Sequence, residues 1–235
     1  MQPMDNSPRC FELLQAGDLA ALRRLIEEDP AAAEARDPSG VSLLMHCLYR
    51  GQRELADRIA EKKIAEKKTS EKKNALDIFE AASLGRLDRL RELATAPAEG
   101  HNSAVNSRSA DGFTALHFAC FFGQPESVRV LIEAGAPADA IAANPMRVMP
   151  LHSAASARNL EAARLLLAHG APPNARQHGG WVPIHAAAQN GDRAMVELLL
   201  QHGANPKLAN DEGQTPAMVA REKGYTEIAA LLAQP

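Results

Sequence analysis

Large rings are scarce in this chain of 235 residues: aromatics make up 4%, as one Trp, two Tyr and six Phe. A core cannot be organised around so few rings, and any place where they gather is informative. Cysteine is almost as rare. Cys10, Cys47 and Cys120 are odd in number, widely spaced and never in a CxxC, which argues against a disulfide framework or a four-cysteine zinc site. A reducing cytoplasm is the expected compartment. No stretch approaches 18 uncharged apolar residues, so no membrane span is expected. The opening MQPMDNSPRC has no basic segment leading into an apolar run, so no signal peptide is expected either. Nor does one sign of charge dominate: 26 basic against 29 acidic residues leave a net charge of −3. Bulk electrostatics therefore point to neither nucleic acid nor a membrane surface. The GxxxxGK[ST], GxSxG, HExxH and calcium-loop patterns are missing. No cofactor or metal is called for.

Periodicity is what the chain does have. ADGFTALHFACFFG, PMRVMPLHSAASAR, GGWVPIHAAAQNG and EGQTPAMVAREKG share one pattern. Their marker residues His117, His152, His185 and Met218 are separated by 35, 33 and 33 positions. A second phrase, VLIEAGAPAD, LLLAHGAPPN and LLLQHGANPK, repeats the intervals of 35 and 33 at Gly135, Gly170 and Gly203. In the N-terminal half Phe11, Met45 and Phe79 lie six residues before Gly17, Gly51 and Gly85, as His117 lies six before Gly123. This phase gives seven units in a single domain over 1–235, approximately 7–36, 37–70, 71–108, 109–143, 144–176, 177–209 and 210–235. Each reads as helix, turn, helix and an extended return. In the sixth, Pro183 suits a first helical turn and Gly191 a left-handed helix end. MVELLLQH then carries a wide apolar face, and ANPKLANDEGQ returns through turn formers. One unit cannot bury its apolar face alone, so neighbours must stack.

These phrases, the period and the G-A-[DN] hairpin signature resemble the ankyrin repeat over nearly the whole chain, most strongly from about 110 to 235. The resemblance implies an all-α solenoid of stacked helix-turn-helix units with short β-hairpin-like fingers. Departures are local. Met149 and Val182 replace the capping threonine, a loss worth on the order of 1 kcal/mol per repeat. Ser7-Pro8 is read as the N-cap and first turn of the opening unit, and both end units are read as caps.

His117 and Cys120 lie three apart, on one helical face, and their types suit a thiolate–imidazole pair. His152 and His185 recur in the same phase, however, with Ala155 and Ala188 in the cysteine position. A catalytic pair has no need of a histidine repeated without its nucleophile. The resemblance implies instead that this histidine hydrogen-bonds near its own helix start and to the adjoining repeat. A hydrolase using the pair is the least favoured alternative. His169 and His202, each just before a glycine, suit helix C-termini. EKKIAEKKTSEKK, residues 61–73, carries six lysines against three glutamates and is read as a solvated helix end. Its alternative use is contact with an acidic partner or nucleic acid. The longer third interval, 38, is assigned to an enlarged loop at about 95–109.

The resemblance implies a protein partner, held by finger tips and first helices. By phase, the contact positions are Asp111, Phe113, Phe121 and Phe122 in the fourth unit and Met146, Arg147 and Val148 in the fifth. Trp181, Gln189 and Asn190 follow in the sixth, and Asp211 and Glu212 in the seventh. Tyr49 and Arg50 hold the same phase in the second. Rings and methionine concentrate at interface centres, so the expected function is a non-catalytic, monomeric protein-interaction module.

Overall fold

The computed structural model describes residues 6–68, 76–96 and 104–234. Among the described residues seven helix pairs follow one another. They are α1 (Ser7–Ala16) with α2 (Leu19–Glu28), α3 (Leu43–Tyr49) with α4 (Arg53–Lys68), and α5 (Ile78–Leu84) with α6 (Leu87–Thr95). Then come α7 (Ala115–Phe121) with α8 (Pro125–Glu133), α9 (Pro150–Ser156) with α10 (Leu160–Ala168), α11 (Pro183–Gln189) with α12 (Arg193–Gln201), and α13 (Pro216–Glu222) with α14 (Thr226–Leu232). From α5 onward the first helices stack on one another in chain order, and α6, α8, α10 and α12 form a second row beside them. The all-α solenoid is thus built, with only the isolated bridge between Arg36 and Ser42 as strand-like pairing among the described residues.

Small residues permit this stacking. Ala119, Ala154, Ala155, Ala187 and Ala188 are fully buried where first helices approach one another, and Leu116, Leu151 and Ile184 fill the space between rows. Each such leucine or isoleucine contributes roughly 1.5–3 kcal/mol by leaving water. Cys120 is one more small apolar residue of this series, wholly enclosed.

Between pairs the chain makes tight hairpins. Asp37 and Val41, Ser109 and Phe113, Gln177 and Trp181, and Asn210 and Gln214 are each joined by an N–H to carbonyl bond of 2.8–3.0 Å. The fifth hairpin is wider, closing from Ala142 to Val148, and its tip residue Arg147 takes a left-handed φ of 51°. Successive tips are tied by backbone bonds: Ala143 donates to Gly112, His178 to Met146 and Asp211 to Gly179, at 2.8–2.9 Å. Gly112 is obligatory here, because its φ is 85° and a Cβ would stand 2.8 Å from the Ala143 carbonyl.

The third unit departs from the sequence reading in two ways. Its capping box is Asp77 with Glu80, so Glu80, not Phe79, holds the histidine position. The glycine misled the phase because Gly85 directly caps α5, whereas Gly123 lies one residue past the cap of α7. Secondly, the fingers of units two and four meet directly: a Cβ at Gly40 would lie 3.4 Å from the Ala110 Cβ.

The lysine run is also revised at one position. Lys63 is buried, and its ammonium sits 2.8 and 2.9 Å from the two oxygens of Glu80, with Glu34 at 3.4 Å. Lys62 pairs with Glu27 at 2.5 Å. Lys62 and Lys63 therefore tie α4 to its neighbours while Glu61 and Ala65 stay exposed, and residues 69–73 lie outside the described residues. The expected loop at 95–109 contains a 3-10 turn, Ala104–Asn106, whose Val105 enters the core; residues 97–103 are not among those described. In the first unit the N-cap position falls on Asn6, one residue before Ser7, and its side chain bonds Asp29 instead of its own helix.

Candidate functional site

The repeated histidines are structural clamps. Histidine Nδ1 accepts the N–H of the residue three before it, at Thr114, Met149 and Val182 (3.2–3.3 Å). With Nδ1 accepting, Nε2 carries the proton. It donates to the next finger at Val148 (2.9 Å), Trp181 (3.4 Å) and Gln214 (3.1 Å). This bond to the N-cap residue's N–H survives where Met149 and Val182 replace threonine, which offsets part of the lost cap. Burial holds the neutral form, lowering the pKa of His117 and His152 to about 4 and lowering that of His185 as well.

His117 thus has both nitrogens committed, and burial pushes the Cys120 thiol well above its usual range. Cys47 is raised to about 12 for the same reason. A catalytic cysteine needs the opposite shift, and both His117 and Cys120 are buried in the packing between first helices. Among the described residues no group of three or more His, Cys, Asp or Glu side chains is placed to hold a metal.

The rings gather in one region. Phe118 is buried and contacts Tyr49, Phe79, Phe113 and Phe122 at centroid distances of 5.6–6.4 Å. Edge-to-face and offset ring pairs of this kind are worth about 0.5–1.5 kcal/mol beyond burial. Above this cluster lies a groove of about 290 Å³, lined by Tyr49, Phe113, His117, Phe118, Phe121, Met146, Val148, Ser153, Ser156 and Gln177. Phe121 and Met146 are each 47% exposed and Tyr49 is 41% exposed. Phe121 closes the short first helix α7 and Tyr49 closes α3, each at the turn into its second helix, while Met146 rides the wide finger of the fifth unit.

Of the expected contact residues, Phe113, Phe121, Met146 and Val148 are brought together in this groove. Phe122 is half-buried beneath it, packed against Tyr49, Phe118 and Phe121. Asp111 is half-buried, accepting from the Tyr49 and Ser109 hydroxyls. Arg147 is exposed at the fifth tip. Trp181 lies outside the groove, half-buried against the His185 ring at 5.3 Å. Asn190 donates to the carbonyls of Ala155 and Ser156, tying α11 to α9, while Gln189 is exposed. Asp211 pairs with Arg176 at 3.3 Å, and Glu212 is exposed beside it.

Tyr49 is the groove residue the phase reading left out of its main set. It reaches Asp111 across the third unit, where Gly40 and Ala110 of the flanking fingers also approach each other. Gln177 was likewise missed; it lies eight residues before His185, at the base of its hairpin, where its N–H donates to the Trp181 carbonyl.

No described helix is long and apolar enough to cross a membrane. A family model described as "Ankyrin repeats (3 copies)" matches residues 78–177 and 151–235. Among curated proteins, the human BCL-6 corepressor-like protein 1 is 40% identical over 76 residues, 32% of this chain. The Drosophila melanogaster palmitoyltransferase Hip14 is 33% identical over 107 residues, 46% of this chain. The mouse B-cell lymphoma 3 protein homolog is 41% identical over 73 residues, 31% of this chain. The matched parts are small fractions of those proteins, 4%, 16% and 16% of their lengths.

Proposed function

The chain belongs to the ankyrin-repeat family, and from that premise we propose that it acts as a non-catalytic protein-binding module. Its partner sits on the face made by finger tips and first helices, centred on units four and five. The observation that carries this reading is the groove of Tyr49, Phe113, Phe121 and Met146. Apolar side chains stand exposed together there in a chain with few rings to spare. An exposed apolar cluster of this kind marks an interaction site. The repeat's structural needs do not demand it, since the same positions in α11 and α13 hold Gln189 and Glu222. A role as adaptor or scaffold follows from a binding face without chemistry of its own.

The test is affinity capture from lysate with wild type and a Phe121→Ser/Met146→Ser variant, read by mass spectrometry. Both side chains are about half exposed, so the variant should unfold within about 1 kcal/mol of wild type. Partners enriched by wild type and lost by the variant are the expected result. Identical capture by both baits would remove the groove from the reading.

A further inference from the structure

Hydrogen-bonding groups stand unspent beside the groove's apolar floor. Asp37, Ser109 and Asn210 open their hairpins, and each side chain accepts the N–H four residues on, from Val41, Phe113 and Gln214, at 2.8–3.1 Å. Asp, Asn and Ser are short enough to close such turns on themselves. Gln177 opens the sixth hairpin at the same place and is a methylene longer than asparagine. Its carboxamide lines the groove and has no partner among the described residues. Ser153 lines the groove as well and is only 6% exposed, and its hydroxyl likewise has no partner among the described residues. Ser83, buried in α5, shows the usual alternative: its hydroxyl donates to the Phe79 carbonyl of its own helix at 2.7 Å. A polar group so enclosed is ordinarily paired.

The lining itself is neutral. None of its residues is Asp, Glu, Lys or Arg, and burial keeps His117 uncharged at neutral pH. The edges carry both signs, with Asp111 engaged by the Tyr49 and Ser109 hydroxyls and Arg147 exposed at the fifth tip. A charged side chain entering from a partner would lose its hydration here with nothing to replace it.

We infer that the groove takes an extended, uncharged stretch of a partner protein, with a large apolar side chain against Phe121 and Met146 and its main chain hydrogen-bonded by the Gln177 carboxamide and the Ser153 hydroxyl. A carboxamide offers a donor and an acceptor side by side, the complement of an unpaired peptide N–H and C=O. In a helix those groups are bonded to one another except at the ends, so a docked helix could meet Gln177 only through a side chain. Ser156, exposed three residues beyond Ser153 on the same face of α9, extends this polar wall. This inference rests on the reading of the groove as the binding face.

The experiment is selection of a random peptide display library on the full chain, with Phe121→Ser/Met146→Ser protein as counter-selection. Enriched peptides are measured by fluorescence anisotropy against wild type, Gln177→Leu and Ser153→Ala, and again after single N-methylation of each main-chain amide. The expected peptides have an uncharged core holding a large apolar residue. Gln177→Leu and Ser153→Ala should each weaken them roughly two- to tenfold, the worth of one hydrogen bond. Neither change should lower the melting temperature, because neither group bonds anything within the described chain. N-methylation at one core position should cost a similar factor in wild type and add nothing in Gln177→Leu, the coupling expected of two ends of one bond. Peptides that need Phe121 and Met146 but ignore both polar substitutions, or tolerate N-methylation throughout, would overturn the inference and leave the binding face standing. A charged core, or circular dichroism showing that the peptide turns helical on binding, would do the same. Peptides indifferent to the groove variant, or no enrichment at all, would overturn both.

Discussion

The histidine clamps predict a steep loss of stability in mildly acidic solution. Each clamp works only as neutral imidazole, since Nδ1 must accept while Nε2–H donates to the next finger. In the folded chain the pKa of His117 and of His152 is lowered to about 4, whereas the unfolded chain titrates near the ordinary value of about 6.5. A lowered histidine pKa means that the unfolded state binds the proton first. The clamps' contribution is therefore complete above about pH 6.5, declines as pH falls, and levels off near pH 4. Between pH 7 and pH 5 the linkage relation gives a loss of about 1.8 kcal/mol for each histidine, or roughly 3.5 kcal/mol for the two. His185 acts in the same sense. Glu80, whose pKa is raised chiefly by burial and then by the Asp77 carboxylate against the pull of Lys63, acts in the opposite sense. The histidine share must therefore be isolated. Urea unfolding at pH 7 and pH 5 would be compared between wild type and His117→Gln/His152→Gln, in which a glutamine amide can donate and accept but does not titrate. The double variant is expected to be weaker at pH 7 yet to lose about 3.5 kcal/mol less on acidification. The same pH-dependent loss in both proteins would refute the assignment, as would the assigned imidazole resonances of His117 and His152 in the folded wild type titrating near pH 6.5.

Other expectations concern packing. Lys63→Met strands the Glu80 carboxylate in the core and should cost about 3–5 kcal/mol, whereas Lys63→Met/Glu80→Leu should recover much of it; denaturant midpoints would show whether the second change rescues the first. Gly112→Ala meets the Ala143 backbone while Gly213→Ala, at a similar φ, meets nothing within 4 Å. Thermal melts should place the first variant well below the second. Phe118→Ala removes the ring that the others surround and should cost about 3–5 kcal/mol, far more than Phe121→Ser, measured by the same melts. Cys10, Cys47 and Cys120 are all buried, so a thiol reagent at neutral pH should label none of them quickly until urea is added.

Much of the architecture was legible in the sequence, because a repeat must present the same small and apolar residues at every step if its neighbours are to stack. The recurrence of His117, His152 and His185 disclosed both the period and a structural role for the histidine, and the clamp geometry bears that role out. Positions four before and four after that histidine, at Phe113, Val148 and Phe121, also pointed to the groove lining. The reading failed where the repeat itself breaks. At the third unit a glycine one residue nearer its helix shifted the phase, and Glu80 with Lys63 replaced the histidine by a buried ion pair. That substitution leaves no repeat signature, since its two halves lie 17 residues apart on different helices.

Periodic spacing alone determined that the chain is a stack of helix pairs, because only stacking buries the apolar face that each unit repeats. Which rings gather, and which stay exposed, was decided by the tertiary structure. Tyr49 of the second unit joins Phe113 and Phe121 of the fourth because the fingers on either side of the third unit meet. Proximity across a whole intervening unit is a property of the stack, and no local pattern of residues encodes it.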